Sequence, residues 1–225
     1  MKINDSFLPL WCLLLFSLGL NGQRSWEAGI FAGASAYLGD LAPDIPPPDA
    51  LSPVLGFSGI FGYNRNLFFH AELLHGKLTG SDAFTPNASR AWSFESALSE
   101  FSLQLAWHPL GKGRKTIAGV YRSGQFSPYV FFGPGLAWAQ RRQMKGMPDD
   151  QQNRDLWLKL VSAGGGMRLD TRQRWSLSLE LGWRKCFSDE LDGVHLLGRP
   201  DTHDGYLIGG LGITYILKAD KDIRY

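Results

Sequence analysis

Residues Arg174–Phe187, RWSLSLELGWRKCF, alternate almost without a break. Trp175, Leu177, Leu179, Leu181, Trp183 and Phe187 fall on one face, and Ser176, Ser178, Glu180, Gly182, Arg184 and Cys186 on the other. Only a β-strand puts every second side chain on the same side. The run is longer than the usual strand of a water-soluble domain. One face is large and apolar, with Trp near both ends, and the other carries Ser, Glu and Arg. That is the pattern of a strand with lipid outside and a polar lumen inside. Strands of this kind must close into a barrel, because an open edge in lipid strands backbone N–H and C=O groups without partners.

The chain has 225 residues, one domain's worth. Its mean hydropathy of −0.14 is far too polar for a bundle of membrane helices. A barrel with half its strand residues facing inward gives such an average, and so does a soluble all-β sandwich, so composition leaves both open. The net charge of +2 gives no reason to expect nucleic acid. At the start, Lys2 precedes an apolar stretch from Leu8 to Leu20, and Asn21, Gly22 and Gln23 follow. This reads as a signal peptide over residues 1–22, cleaved just before Gln23, with the barrel domain over residues 23–225. The stretch is shorter than the roughly 18 apolar residues of a membrane anchor. Cys12 lies inside it, and Trp11 stands where a lipoprotein has a small residue. Removing the signal leaves Cys186 alone, so no intramolecular disulfide forms.

Eight strand segments can be marked: Ser25–Leu38, Val54–Tyr63, Leu67–Leu78, Phe94–Trp107, Ser127–Gln140, Leu156–Leu169, Arg174–Phe187 and Gly205–Leu217. Each reaches the 9–11 or so residues of a tilted membrane strand. In the first, Trp26, Ala28, Ile30 and Ala32 oppose Glu27, Gly29, Gly33, Ser35 and Tyr37. In the fourth, Phe101, Leu103, Leu105 and Trp107 oppose Glu100, Ser102, Gln104 and His108. The third is mixed, with Phe68 and Leu74 sharing a face with His70 and Glu72. In the sixth, Lys159 breaks the pattern until Val161, and a bulge there would account for a change of phase. Connections one, three, five and seven are long, whereas 63–66 and 170–173 are tight turns. Long external loops with short periplasmic turns are the habit of outer-membrane barrels. The expected fold is therefore an all-β, eight-stranded antiparallel up-and-down transmembrane barrel in the bacterial outer membrane, with both termini periplasmic.

An eight-stranded barrel is just wide enough for side chains to fill it. The inward residues Glu27, Glu72, Glu100, Gln104, Arg168, Glu180 and Arg184 then read as a structural polar network rather than an ion path. Nucleophilic catalysis needs Ser beside His. Along a single strand, His-x-Ser would place them together, and no such pair occurs: His70 is followed at that spacing by Glu72, and His75 by Lys77. His195 and His203 lie among Asp192, Asp201 and Asp204, but the spacing matches no zinc pattern. Gly164–Gly166 lacks the Lys-Ser/Thr of a phosphate-binding loop and lies mid-strand, where glycine allows close backbone approach. No catalytic, metal or cofactor site is expected. The exception among the periplasmic connections is 108–126, which carries Lys112, Arg114, Lys115 and Arg122. It reads either as a solvated flexible turn or as a docking surface for a periplasmic protein or for peptidoglycan.

Several segments in order resemble one family: AGIFAGASAYLGDL (28–41), GKLTGSD (76–82), FESALSEFSLQLAWHPL (94–110), SPYVFFGPGLA (127–137), AGGGMRLDTRQRWSLSLELGWRKCFSDELDGV (163–194) and DGYLIGGLGITY (204–215). The chain resembles the small outer-membrane barrels that include PorG of the type IX (Por) secretion system. YLGDL, GSD and FSDELDGV are the specific pieces, since alternation does not dictate them. The resemblance implies an eight-stranded barrel embedded in outer-membrane lipid; the expected function is non-enzymatic, an anchor or assembly component of an envelope complex resembling PorG, with periplasmic protein partners. Two other functions stay open: a surface or envelope-stability barrel working through its external loops, and an outer-membrane enzyme modifying lipid or peptide.

Overall fold

The computed structural model describes residues 24–38, 50–64, 66–81, 93–111, 125–145, 155–171, 174–187 and 205–219. Eight strands form in chain order: β1 (Ser25–Leu38), β2 (Ser52–Gly62), β3 (Leu67–Ser81), β4 (Ser93–Trp107), β5 (Gln125–Lys145), β6 (Asp155–Asp170), β7 (Trp175–Cys186) and β8 (Gly205–Ala219). Each pairs with the next, and β1 pairs antiparallel with β8, so the sheet closes and has no free edge. This is the eight-stranded antiparallel barrel that the alternation demands.

The two faces separate cleanly. Ile30, Leu55, Phe57, Phe69, Leu73, Phe101, Leu103, Phe132 and Leu179 are large, apolar and exposed. In water such a continuous girdle would be a severe aggregation surface; in a bilayer it is the solvent contact. Aromatic pairs mark its margins: Trp26 with Phe61 and Trp175 with Tyr215 at one end, and Trp138 with Trp157 at the other. The mixed face of β3 is the lumen face, where Phe68, His70, Glu72 and Leu74 are all buried.

The expected phase change in β6 does not occur. Its register is unbroken against β5 and β7, Leu158 and Leu160 are buried, and Lys159 is exposed with Trp157. The apparent break is the lumen turning apolar at this end while the outside turns polar. Register shifts lie elsewhere, between Trp26 and Glu27 against β8 and between Glu95 and Ser96 against β5.

Two short turns sit at the end of the barrel that holds Ser25 and Ala219. In 63–66, Asn64 Oδ1 accepts from the backbone N–H of Asn66 (2.9 Å) and Leu67 (2.8 Å), an Asx turn. Asn66 Nδ2 donates to the carbonyl of His108 at 2.6 Å, tying this turn to the end of β4. At the other turn, Thr171 Oγ1 donates to the carbonyl of Trp175 at 2.8 Å.

Candidate functional site

The lumen is filled in layers. Toward the loop end, Tyr37, Val54, Leu78, Phe94, Leu98, Leu158, Leu160 and Ile208 form one apolar cluster. Toward the turn end, Ile60, Phe68, Ala106, Tyr129 and Phe131 form a second. The polar residues lie between and below them, where a buried polar group is costly unless it is hydrogen-bonded.

Arg184 is the hub of the central layer. Its Nε donates to Glu100 Oε1 at 3.4 Å, its Nη1 to the carbonyl of Gly182 at 2.9 Å, and its Nη2 stands 3.9 Å from Glu72 Oε2. Tyr206 donates to the other Glu100 oxygen at 2.6 Å. Gln104 Nε2 donates to Glu72 at 3.1 Å, and Tyr129 donates to Glu180 at 2.7 Å. A second network closes the turn end. Arg168 donates to Glu27 at 2.6 Å, to Asp170 at 2.8 Å and to Ser176 Oγ at 2.6 Å. All seven inward residues named from the sequence are buried, and they divide between these two networks.

Among the described residues little space remains in this part of the lumen. The gap bordered by His70, Glu72, Tyr129, Arg168 and Glu180 measures about 20 Å³, room for roughly one water. Glycine makes the aromatic packing possible. A Cβ on Gly164 would come within 2.5 Å of the Phe131 ring, and one on Gly166 within 2.6 Å of the Tyr129 ring. The triple glycine is thus a bed for two lumen aromatics.

Among the described residues two His–Ser pairs are present, contrary to the expectation drawn from His-x-Ser spacing. Both are formed across strands, where spacing along one strand is blind. His108 Nδ1 lies 2.9 Å from Ser127 Oγ, buried, with its ring stacked on Tyr129 at 4.9 Å. His75 Nδ1 lies 2.9 Å from Ser99 Oγ on the outer wall, where His75 and Ser99 are directly opposite in the β3–β4 register. Only the pairing register of β3 with β4 reveals it. Next to it on the same wall, Lys77 Nζ and Glu95 Oε1 make a 2.7 Å ion pair.

Lys112, Arg114, Lys115 and Arg122 lie outside the described residues, as do the signal segment 1–22 and the His195–His203 loop. Among the described residues no group of three or more His, Cys, Asp or Glu could hold a metal ion.

The sequence matches the DUF6089 family, described as a domain of unknown function, over residues 5–220. The chain belongs to the DUF6089 family. No curated protein matches it. Among solved structures, this DUF6089 barrel is similar to Neisserial surface protein A, with a TM-score of 0.54 at 9% identity over 85% of this chain and 97% of that one. Ail, the attachment invasion locus protein of Yersinia pestis, was solved with the heparin analogue sucrose octasulfate. It gives a TM-score of 0.46 at 10% identity over 86% and 99% of the two chains. The N-terminal β-barrel domain of Pseudomonas aeruginosa OprF gives 0.46 at 13% over 87% and 99%. The first likeness supports the fold, that of an outer-membrane barrel; at these identities none transfers a function to the DUF6089 chain.

Proposed function

We propose that this barrel is an anchor or assembly component of an envelope complex, resembling PorG of the type IX secretion system. In this reading it lies in the outer membrane after export by the 1–22 signal peptide, with termini and short turns in the periplasm. The observation that carries the proposal is the filled lumen. A barrel whose interior is occupied by apolar plugs and two closed ion networks works through its ends and its wall, not through a channel. Anchoring itself needs no chemistry. The basic 108–126 connection, with Lys112, Arg114, Lys115 and Arg122, is the contact offered to periplasmic protein, its lysines and arginines suited to an acidic face.

The experiment is a deletion of Lys112–Arg122 followed by co-purification from the native envelope. Loss of periplasmic partners, with the barrel still folded, is the expected result. Unchanged partners sink the docking proposal. A second reading, a surface barrel working through its loops, is favoured by the length of the four connections at the opposite end. Trimming Asp44–Pro48 or Asp189–His203 then abolishes function while leaving co-purification intact.

A further inference from the structure

The two His–Ser pairs have the same chemistry and opposite surroundings. His108–Ser127 is enclosed in the lumen, with Phe68 and Tyr129 against the imidazole. No substrate reaches it. His75–Ser99 stands on the wall that faces lipid, and three observations set it apart from an ordinary surface contact.

One is the groove it borders. A space of about 820 Å³ along the barrel wall, running across β1 to β6, is bordered by the outward Ile30, Leu55, Phe57, Leu73, Phe101 and Leu136, by His75 and Ser99, and by the lumen-facing Phe31, Leu74 and Glu100. The six outward side chains are all exposed, so the groove opens to the bilayer. Its outward apolar side chains belong to the lipid-facing girdle, which acyl chains of the bilayer contact.

Another is depth. The outward face of β4 runs Trp107, Leu105, Leu103, Phe101 and then Ser99. At roughly 3.3 Å per residue and a tilt of about 40°, Ser99 stands about 20 Å from Trp107 along the membrane normal. The apolar band of such barrels is about 25 Å tall. The pair therefore sits at the upper margin of the hydrocarbon, where the ester linkages of membrane lipids lie. Lys77 is diagonal to Ser99 across the β3–β4 pair and is held by Glu95, which puts an ammonium on the headgroup side.

The last is geometry. A separation of 2.9 Å between imidazole nitrogen and serine oxygen is the reach of a general base to its nucleophile.

We propose that His75 and Ser99 form a catalytic dyad that hydrolyses acyl esters of membrane lipid, with the acyl chain in the adjoining groove. Ser99 Oγ attacks the ester carbonyl carbon while His75 takes its proton. The bond from that carbon to the alkoxy oxygen breaks, and His75 returns the proton to the departing lipid hydroxyl. Interfacial water then attacks the acyl-serine, one of its protons passing through His75 to Ser99 Oγ, and a fatty acid leaves. Lys77 is a positioning residue that steers the headgroup. The activity goes beyond anchoring and does not depend on it.

The test uses the full mature chain reconstituted in two kinds of vesicle, one of glycerophospholipid alone and one containing lipopolysaccharide, with released fatty acid measured by mass spectrometry. The expected result is fatty acid and the matching deacylated lipid from at least one vesicle type, which also identifies the ester source. Ser99→Ala is expected to lower release about 1000-fold or more, and His75→Ala about 100-fold or more, with partial rescue by added imidazole. A fluorophosphonate is expected to label Ser99 in the wild type. Heat-modifiable gel migration confirms that each variant is folded. No release from either vesicle by folded wild-type protein overturns the proposal, as does wild-type release by Ser99→Ala. Neither outcome touches the anchoring test, since deletion of Lys112–Arg122 leaves the β3–β4 wall in place.

Discussion

Of the places where this barrel brings a cation to a carboxylate across strands, the Lys77 and Arg184 sites differ most in surroundings, and the shorter of these two contacts is the weaker one. On the outer wall Lys77 reaches Glu95 at 2.7 Å, with the two side chains 56% and 36% exposed. In the lumen Arg184 stands 3.4 Å from Glu100 and 3.9 Å from Glu72, at 1% exposure. Distance alone would favour the lysine. What decides is the alternative each charge has when its partner is removed. Lys77 turns to water or to lipid phosphate at almost no cost. Arg184 has no such exit, and neither do the carboxyl groups of Glu72 and Glu100, which are enclosed by Tyr206, Gln104 and the two apolar plugs. The lumen pair is strong because it cannot be replaced, not because it is close.

The largest effect should come from breaking that enclosure. Arg184→Met is expected to destabilise the barrel by about 3–5 kcal/mol, the usual consequence of orphaning buried charge. The readout is the urea midpoint of the folded form in lipid vesicles. Combining it with Glu100→Gln should recover part of the loss, because removing both partners of a buried pair costs less than removing one. A loss under about 1 kcal/mol for the single variant would mean that water reaches the central layer, and the contrast with Lys77 would collapse.

The contrast between inside and outside also explains what was readable in the chain. β1 has the bounds expected from alternation, Ser25–Leu38, because Trp26, Ile30, Glu27 and Ser35 each sit where their polarity demands. The seven lumen residues were likewise legible, since a charged side chain in phase with Ser and Gly on a lipid-spanning strand has only one face to go to. The reading faltered where polarity and face part company. Phe68 and Leu74 are apolar and inside, and Lys159 is charged and outside, because both faces change character near the barrel ends. Alternation also says nothing about register. His75 and Ser99 are 24 positions apart and become neighbours only through the β3–β4 pairing. Glu27 meets Arg168 across 141 positions, a contact that the lumen makes and no local pattern announces.

A smaller effect tests whether the lumen is as full as its contacts imply. A methyl group at Gly164 would lie 2.5 Å from the Phe131 ring and would run into the Leu181 carbonyl, which is backbone that cannot swing aside. Gly164→Ala should cost about 1–3 kcal/mol as overpacking. Gly59 is the outside counterpart: it is exposed on β2, and an added Cβ meets nothing within 4 Å. Gly59→Ala should be neutral or stabilising by up to about 1 kcal/mol, through the unfolded chain's lost freedom. Equal losses at the two positions would show that glycine is needed for strand curvature in general rather than for a bed beneath Phe131 and Tyr129.

The smallest effect belongs to the exposed ion pair. Lys77→Ala should change stability by no more than about 1 kcal/mol, and what change there is should fade as salt is raised, because screening acts on exposed charges and spares buried ones. The same salt series on Arg184→Met should leave its loss nearly unchanged. If Lys77→Ala instead matched Arg184→Met, the margin of the wall above Ser99 would have to be as dry as the lumen. That is incompatible with a site that draws water from the interface to release an acyl-serine, so the result would also remove the hydrolytic step assigned to His75 and Ser99.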